Sequence, residues 1–246
     1  MLALGRGAVA LDGDRVVGTI MWWPNGESHS TLGMVIVARE RQRQGLGRSL
    51  MQKALAKIGS RQVTLYATKE GMPLYTEQGF EKIDVVEQHQ GQPTLPGAGS
   101  ASNETPVRSM GQDDFAAIVA LDAEETGRPR GVMLQALTKA GEGLVAERGG
   151  QLRGYALARP FGLGYVIGPV VAEDDRLAKT LVRTWIERLS DGFVRIDVRA
   201  ASGLSGWLAA HGLSNVGEGV TMVRGGAPAG RQLSPRLFAL ASQALG

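Results

Sequence analysis

The chain repeats itself once, and that repeat limits the folds open to it. Landmarks recur at a near-constant offset along the 246 residues: Gly18 to Gly154 is 136, Gly33 to Gly168 is 135, Leu46 to Leu177 is 131 and Gly79 to Gly212 is 133. A period this long means two domains of one fold, not a solenoid. Apolar periodicity predicts the same element order in each half. The first half reads as strands 8–10, 16–23 and 31–38, helix 45–58, strand 62–67, a short helix 72–78 and strand 80–87. The second reads as strands 143–146, 152–158 and 165–172, helix 176–189, strand 193–199, helix 204–210 and strand 216–223. Ahead of its first hairpin the second half also has room for a strand at 107–110 and helices at 113–125 and 129–140. The first half has no such room. Either its opening elements are missing or the true start lies upstream of Met1.

The stretch from Gly91 to Pro106, GQPTLPGAGSASNETP, has no apolar periodicity and cannot bury a face, which is the character of a linker. The expected boundaries are therefore 1–92 for the first domain, 93–106 for the linker and 107–225 for the second domain. Residues 226–246 remain as a tail. Ser234-Pro235 has the look of a helix start, a cap residue followed by proline in the first turn. With Leu237, Leu240 and Leu245 as a weak stripe, the tail reads as a packing helix.

Composition removes several classes of function. Lys plus Arg number 27 against 24 Asp plus Glu, a net of +3, and aromatics are only 5%. No aromatic interleaves with a basic run as a base-stacking platform needs, so no nucleic-acid partner is expected. There is no cysteine, which rules out disulfides, a thiolate zinc site and a cysteine nucleophile; no metal is expected. No uncharged apolar run reaches about 18 residues, and the start lacks the basic-then-apolar layout of a signal peptide. The expectation is a cytoplasmic protein with no membrane partner.

Chemistry concentrates where strand 31–38 hands over to helix 45–58, in Val35-Ile36-Val37-Ala38-Arg39-Glu40-Arg41-Gln42-Arg43-Gln44-Gly45-Leu46-Gly47-Arg48-Ser49. The first turn of a helix presents unpaired N–H groups and the positive end of its dipole, which together attract an anion. Glycines at 45 and 47 let a phosphate approach the backbone, and the arginines add charge-assisted hydrogen bonds. No Gly-Lys-Ser/Thr follows, so this is no P-loop. Position 50 is Leu, so the third glycine of a dinucleotide turn is absent.

Gln42-Arg-Gln-Gly45-Leu-Gly47 matches the Gln/Arg-x-x-Gly-x-Gly/Ala signature of the GNAT superfamily of acetyl-coenzyme A-dependent N-acetyltransferases. Tyr75-Thr-Glu-Gln-Gly79-Phe80 matches a second landmark, a Tyr four residues before Gly-Phe. The chain resembles that superfamily over its whole length, as a tandem arrangement with a divergent second domain. The resemblance implies an α/β (α+β) fold of two GNAT-like domains. Each would be a mixed, mostly antiparallel twisted sheet flanked by helices, the first lacking its usual opening strand and helices.

The resemblance also implies roles. Backbone amides from Arg43 to Arg48, with Ser49 on the same turn, would hold the coenzyme A pyrophosphate, Gln42 ordering the turn. Val35 and Val37, with Ile36 between them, would pair with the pantetheine amides. Tyr75 would be the general acid for the departing thiolate; the alternative is a helix tyrosine that only packs. The base stays open. Residues 32–37 contain no carboxylate, leaving His29, with a pKa near neutrality, or Glu27. In the second domain, Glu173, Asp174, Asp175 and Arg176 replace the signature and Leu208 stands where Tyr75 would be. That domain is not expected to bind acetyl-coenzyme A, and its expected part is to help hold a small-molecule amine acceptor. The alternative function is a catalytically silent coenzyme A-binding or ligand-sensing module.

Overall fold

The computed structural model describes residues 4–95, 105–226 and 236–246. The chain forms two compact units, and neither is one continuous segment. The first comprises Met1–Ile83, Val220–Gln232 and Gln243–Gly246; the second comprises Asp84–Gly219 and Leu233–Ser242. The continuous boundaries expected from the linker thus differ from the units in space. Most of 93–106 lies outside the described residues.

In the first unit, β1 (Arg6–Asp12), β2 (Arg15–Asn25) and β3 (His29–Val37) form an antiparallel meander. Helix α1 (Leu46–Ile58) then crosses to β4 (Gln62–Ala67), which runs parallel to β3. Helix α2 (Met72–Glu77) follows, and β5 (Glu81–Gly91) leaves to join the second unit. The end of β11 (Ser214–Arg224) completes this sheet, Val220 to Arg224 pairing antiparallel with Ala67 to Val63. One face of the sheet buries α1 through Leu50, Met51, Ala54, Leu55 and Ile58 against Ile20, Trp22, Leu32 and Leu65. Each such large side chain is worth about 1.5–3 kcal/mol of transfer free energy. Leu46, at the start of the same helix, lines a cavity instead of joining this core.

The second unit repeats the order with its opening elements present: β6 (Val107–Ser109), α3 (Phe115–Thr126), α4 (Gly131–Ala140), β7 (Glu142–Arg148), β8 (Gln151–Phe161) and β9 (Gly164–Ala172). Then come α5 (Asp175–Arg188), β10 (Val194–Arg199) and α6 (Ser205–Ala210). Alternation along β8 separates two faces. Ala156 and Ala158 belong to the core with Leu177, Leu181 and Trp185 of α5. Tyr155 points the other way and donates to Asp122 of α3. The Arg130 guanidinium holds the same carboxylate through Nε at 3.0 Å. All three side chains are buried.

The two repeats share mechanical details that explain the recurring glycines. A Cβ on Gly18 would stand 3.0 Å from Leu50 of α1, and one on Gly154 3.2 Å from Leu177 of α5. In both repeats the long helix presses directly on strand backbone.

The tail is where expectation and structure part. Leu237–Ala239 is a strand, β12, and no helix occurs among the described residues of 226–246; Ser234 and Pro235 lie outside them. The cause is a fork in the sheet. Strands β9 and β10 run parallel from Tyr165/Val194 to Ile167/Ile196 and pair no further. Strand β12 fills the gap: Leu237 and Ala239 pair with Val171 and Val170 on one side, and Ala239 with Val198 on the other. Diverging strands leave backbone N–H and C=O groups that need partners. The unbroken apolar run Leu237-Phe-Ala-Leu-Ala241 is buried throughout, as suits a strand covered on both faces.

Candidate active site

The first unit forks in the same place, between β3 and β4. Their parallel ladder ends at Leu32/Leu65, although β3 continues to Val37. Here a cavity of about 660 Å³ remains, lined by Val35 and Val37 of β3, by Arg41 to Arg43 and Gly45 to Arg48 of the turn, and by Tyr75 of α2.

The turn is shaped for an anion. Gly45 caps α1 in the left-handed region at φ +82°, and Arg43 adopts the same region at φ +61°. For a non-glycine residue that costs about 1–2 kcal/mol, the kind of strain found at binding turns. The side-chain amide of Gln42 donates to the Val37 carbonyl at 3.1 Å, tying the turn to the strand that feeds it. The first helical bond runs from the Ser49 N–H to the Gly45 carbonyl. The amides of Leu46, Gly47 and Arg48 precede it and have no partner inside the helix. A Cβ on Gly47 would meet Leu74 at 3.2 Å, so glycine keeps α1 close to α2. Arg41, Arg43 and Arg48 line the cavity; Arg39 does not. Arg48 is held by Glu77 at 2.7 Å.

Tyr75 is 9% exposed and meets Phe80 edge-on at 6.2 Å between ring centroids. Burial raises its phenol above the usual pKa, so the ring is a proton donor throughout the physiological range. A Cβ on Gly71 would come within 3.0 Å of the Tyr75 ring. Gly71, Thr68 and Glu70 also line the cavity; sequence reasoning passed over them, though a glycine four residues before the tyrosine was visible.

Other expected residues lie elsewhere. Ile36 is 55% exposed and Gln44 donates to the Glu40 carbonyl. His29 begins β3, with Nδ1 2.8 Å from the Ser28 hydroxyl, and Glu27 sits in the exposed turn before it. Neither lines the cavity. From His29 to Gly33, where the fork begins, is four strand residues, or about 13 Å.

The second unit's counterpart is closed twice over. The Asp174 carboxylate accepts from the Leu177 N–H at 2.8 Å, occupying its own helix start, and β12 fills the fork. Among the described residues no group of His, Asp and Glu is arranged to hold a metal, and no helix is long and apolar enough to cross a membrane.

Two forks among the strands, one with an open anion-binding turn beside a buried tyrosine, define a tandem acyltransferase-type fold. Comparison with known proteins agrees: residues 4–82 and 118–239 each match an acetyltransferase (GNAT) domain family. The chain belongs to the GNAT acetyltransferase family as a tandem member. It is 31% identical over 172 residues to the uncharacterized N-acetyltransferase YitH of Bacillus subtilis (strain 168), a match covering 69% of this chain and 60% of that relative's length. The fold is also that of a candidate acetyltransferase from Pyrococcus horikoshii, with TM-score 0.74, 19% identity and coverage of 95% and 77% of the two chains. A tandem GNAT protein from the clavulanic acid biosynthesis pathway gives TM-score 0.59, 16% identity and coverage of 92% and 84%.

Proposed function

We propose that this protein transfers an acetyl group from acetyl-coenzyme A directly to a primary amine. The first unit carries the cofactor, and the second serves the acceptor. The observation that carries this reading is one cavity joining the Gln42–Gly47 turn, the diverging edge of β3 and the buried Tyr75. Acetyl-coenzyme A supplies the activated thioester.

The free amides of Leu46, Gly47 and Arg48, with Arg41 and Arg43, bind the pyrophosphate. Backbone groups of Val35 and the N–H of Val37, on the edge of β3 beyond its ladder with β4, hold the pantetheine arm as a further strand would. Tyr75, kept neutral by burial, donates a proton to the departing thiolate. Direct transfer asks little of a base, because alignment of amine and thioester supplies most of the barrier reduction. An amine that arrives neutral, or loses its proton to water, needs neither His29 nor Glu27.

The test is thiol release from acetyl-coenzyme A with a panel of primary amines, alongside calorimetry with the cofactor alone. Release that depends on the amine supports transfer. Binding without turnover across the panel would reduce the site to a coenzyme A-sensing module.

A further inference from the structure

Strand β3 leaves its ladder with β4 after Leu32 and bulges at Met34, whose φ is +54°. Gly33 therefore stands at the apex of the first unit's fork, just before Val35, where β3 begins to line the cavity. The anion-binding turn follows Val37, so a cofactor arm running back along Val37 and Val35 ends at this apex. An amine must meet the thioester there. On the α1 face the apex is sealed, because Leu32 and Leu65 are buried in one core with Met51 and Ala54. Side chains alternate along a strand, so Thr31 and Gly33 face away from α1, and that face is the way in.

The tail borders that approach. Gln243–Gly246 belongs to the first unit, and the Thr31 hydroxyl donates to the Leu245 carbonyl at 3.1 Å. Leu245 is 1% exposed and anchors a turn over residues 243–245. A Cβ on Gly33 would meet Ala244 Cα at 3.6 Å, the Trp23 ring at 3.7 Å and Ala244 Cβ at 3.8 Å. These neighbours are apolar and uncharged. In the second unit the tail lies flush on the corresponding glycine: a Cβ on Gly168 would stand 2.0 Å from the Leu240 carbonyl. At Gly33 there is ordinary contact room for one methyl group.

We infer, on the basis of the acetyl transfer proposed above, that Ala244 and Trp23 form a narrow apolar entrance over Gly33 through which the acceptor reaches the thioester. The entrance selects primary amines on an unbranched apolar stem and turns away amines branched beside the nitrogen. A single added carbon in an apolar slot of this kind shifts kcat/KM by about 10-fold or more. The same wall keeps water from the thioester.

The experiment compares the full chain with two variants of opposite sense: Ala244→Leu, which narrows the entrance, and deletion of residues 243–246, which opens it. Each is read by calorimetry with coenzyme A and by thiol release from acetyl-coenzyme A with n-butylamine, with sec-butylamine and with water alone. The wild type should prefer n-butylamine to sec-butylamine by about 10-fold or more in kcat/KM. Ala244→Leu should lower release with n-butylamine and with water. The deletion should erase the preference and raise release with water alone, because the thioester loses its cover. Coenzyme A affinity should stay within a few-fold throughout. Merely weakened folding would lower every rate in both variants and could not move them in opposite directions. Equal use of the two butylamines by the wild type overturns the inference. So do wild-type rates in Ala244→Leu, or an unchanged water rate in a folded deletion variant that still binds coenzyme A; the water rates decide even where neither butylamine reacts. Failure of the wild type to bind coenzyme A at all is a different result, which overturns the acetyl transfer itself and this entrance with it.

Discussion

The Gln42 side-chain amide reaches back to the carbonyl of Val37, 3.1 Å away, and so closes the anion-binding turn onto the strand that borders the cavity. The turn and the strand edge are thereby one rigid piece. A cofactor lying across both meets a surface whose ordering cost was met on folding. Gln42→Ala should therefore weaken coenzyme A binding by roughly 5- to 10-fold, about one hydrogen bond, with little change in turnover once saturated. Calorimetry and saturation kinetics on the same variant check the split.

Gly45→Asp should abolish coenzyme A binding in a folded protein. A Cβ at position 45 meets nothing within 4 Å, so the fold has room. The left-handed backbone there costs an aspartate about 1 kcal/mol. The carboxylate, however, stands at the helix start and repels the pyrophosphate. A folded variant with wild-type affinity, by calorimetry and circular dichroism together, would remove this turn from the site.

Tyr75→Phe should lower turnover by about 100- to 10,000-fold while leaving cofactor affinity within a few-fold. The ring still packs on Phe80, but the thiolate loses its donor. The pH dependence carries a sign. Burial raises the Tyr75 pKa above 10.0, so the donor form persists past that pH and any alkaline loss of turnover due to this group lies above it. The same shift favours the folded state below pH 10, and that contribution fades as pH rises through the folded pKa. A pH–rate profile of the wild type, with chemistry limiting, tests it.

One coenzyme A should bind per chain. Asp174→Gly with Asp175→Gly should not create a second site, because β12 fills the fork and Leu208 offers no proton. A titration with stoichiometry near two, in either protein, would sink this assignment.

Arg159 secures that filling strand. Its guanidinium donates to the Ala241 carbonyl at 2.7 Å and to the Gly168 carbonyl at 3.2 Å, and burial pulls its pKa down to about 10. Arg159→Met leaves two buried carbonyls unserved, a cost of about 1–3 kcal/mol. The variant should melt earlier. The Leu240 amide, which donates to the Asp197 carbonyl, should lose hydrogen-exchange protection, whereas amides of α1 should not.

The sequence by itself determined whatever depends on near neighbours. Periods of two and 3.6 residues placed every strand and helix up to Arg224 in order, because each element must bury one face. The turn from Gln42 to Gly47 was legible since its glycines and arginines act through their own backbone and charge, and Asp174 was legible as a cap for the same reason. Only the tertiary structure decided the fate of Leu237 to Ala241. That run has no strand character until β9 and β10 diverge some forty to seventy residues earlier in the chain and leave unpaired backbone between them. Likewise nothing local to β11 says that Val220 to Arg224 will complete the first sheet, or that His29 will stand at the far end of β3 from the fork. Those outcomes follow from which distant edges lacked hydrogen-bond partners, and a sequence read along its own length does not contain that information.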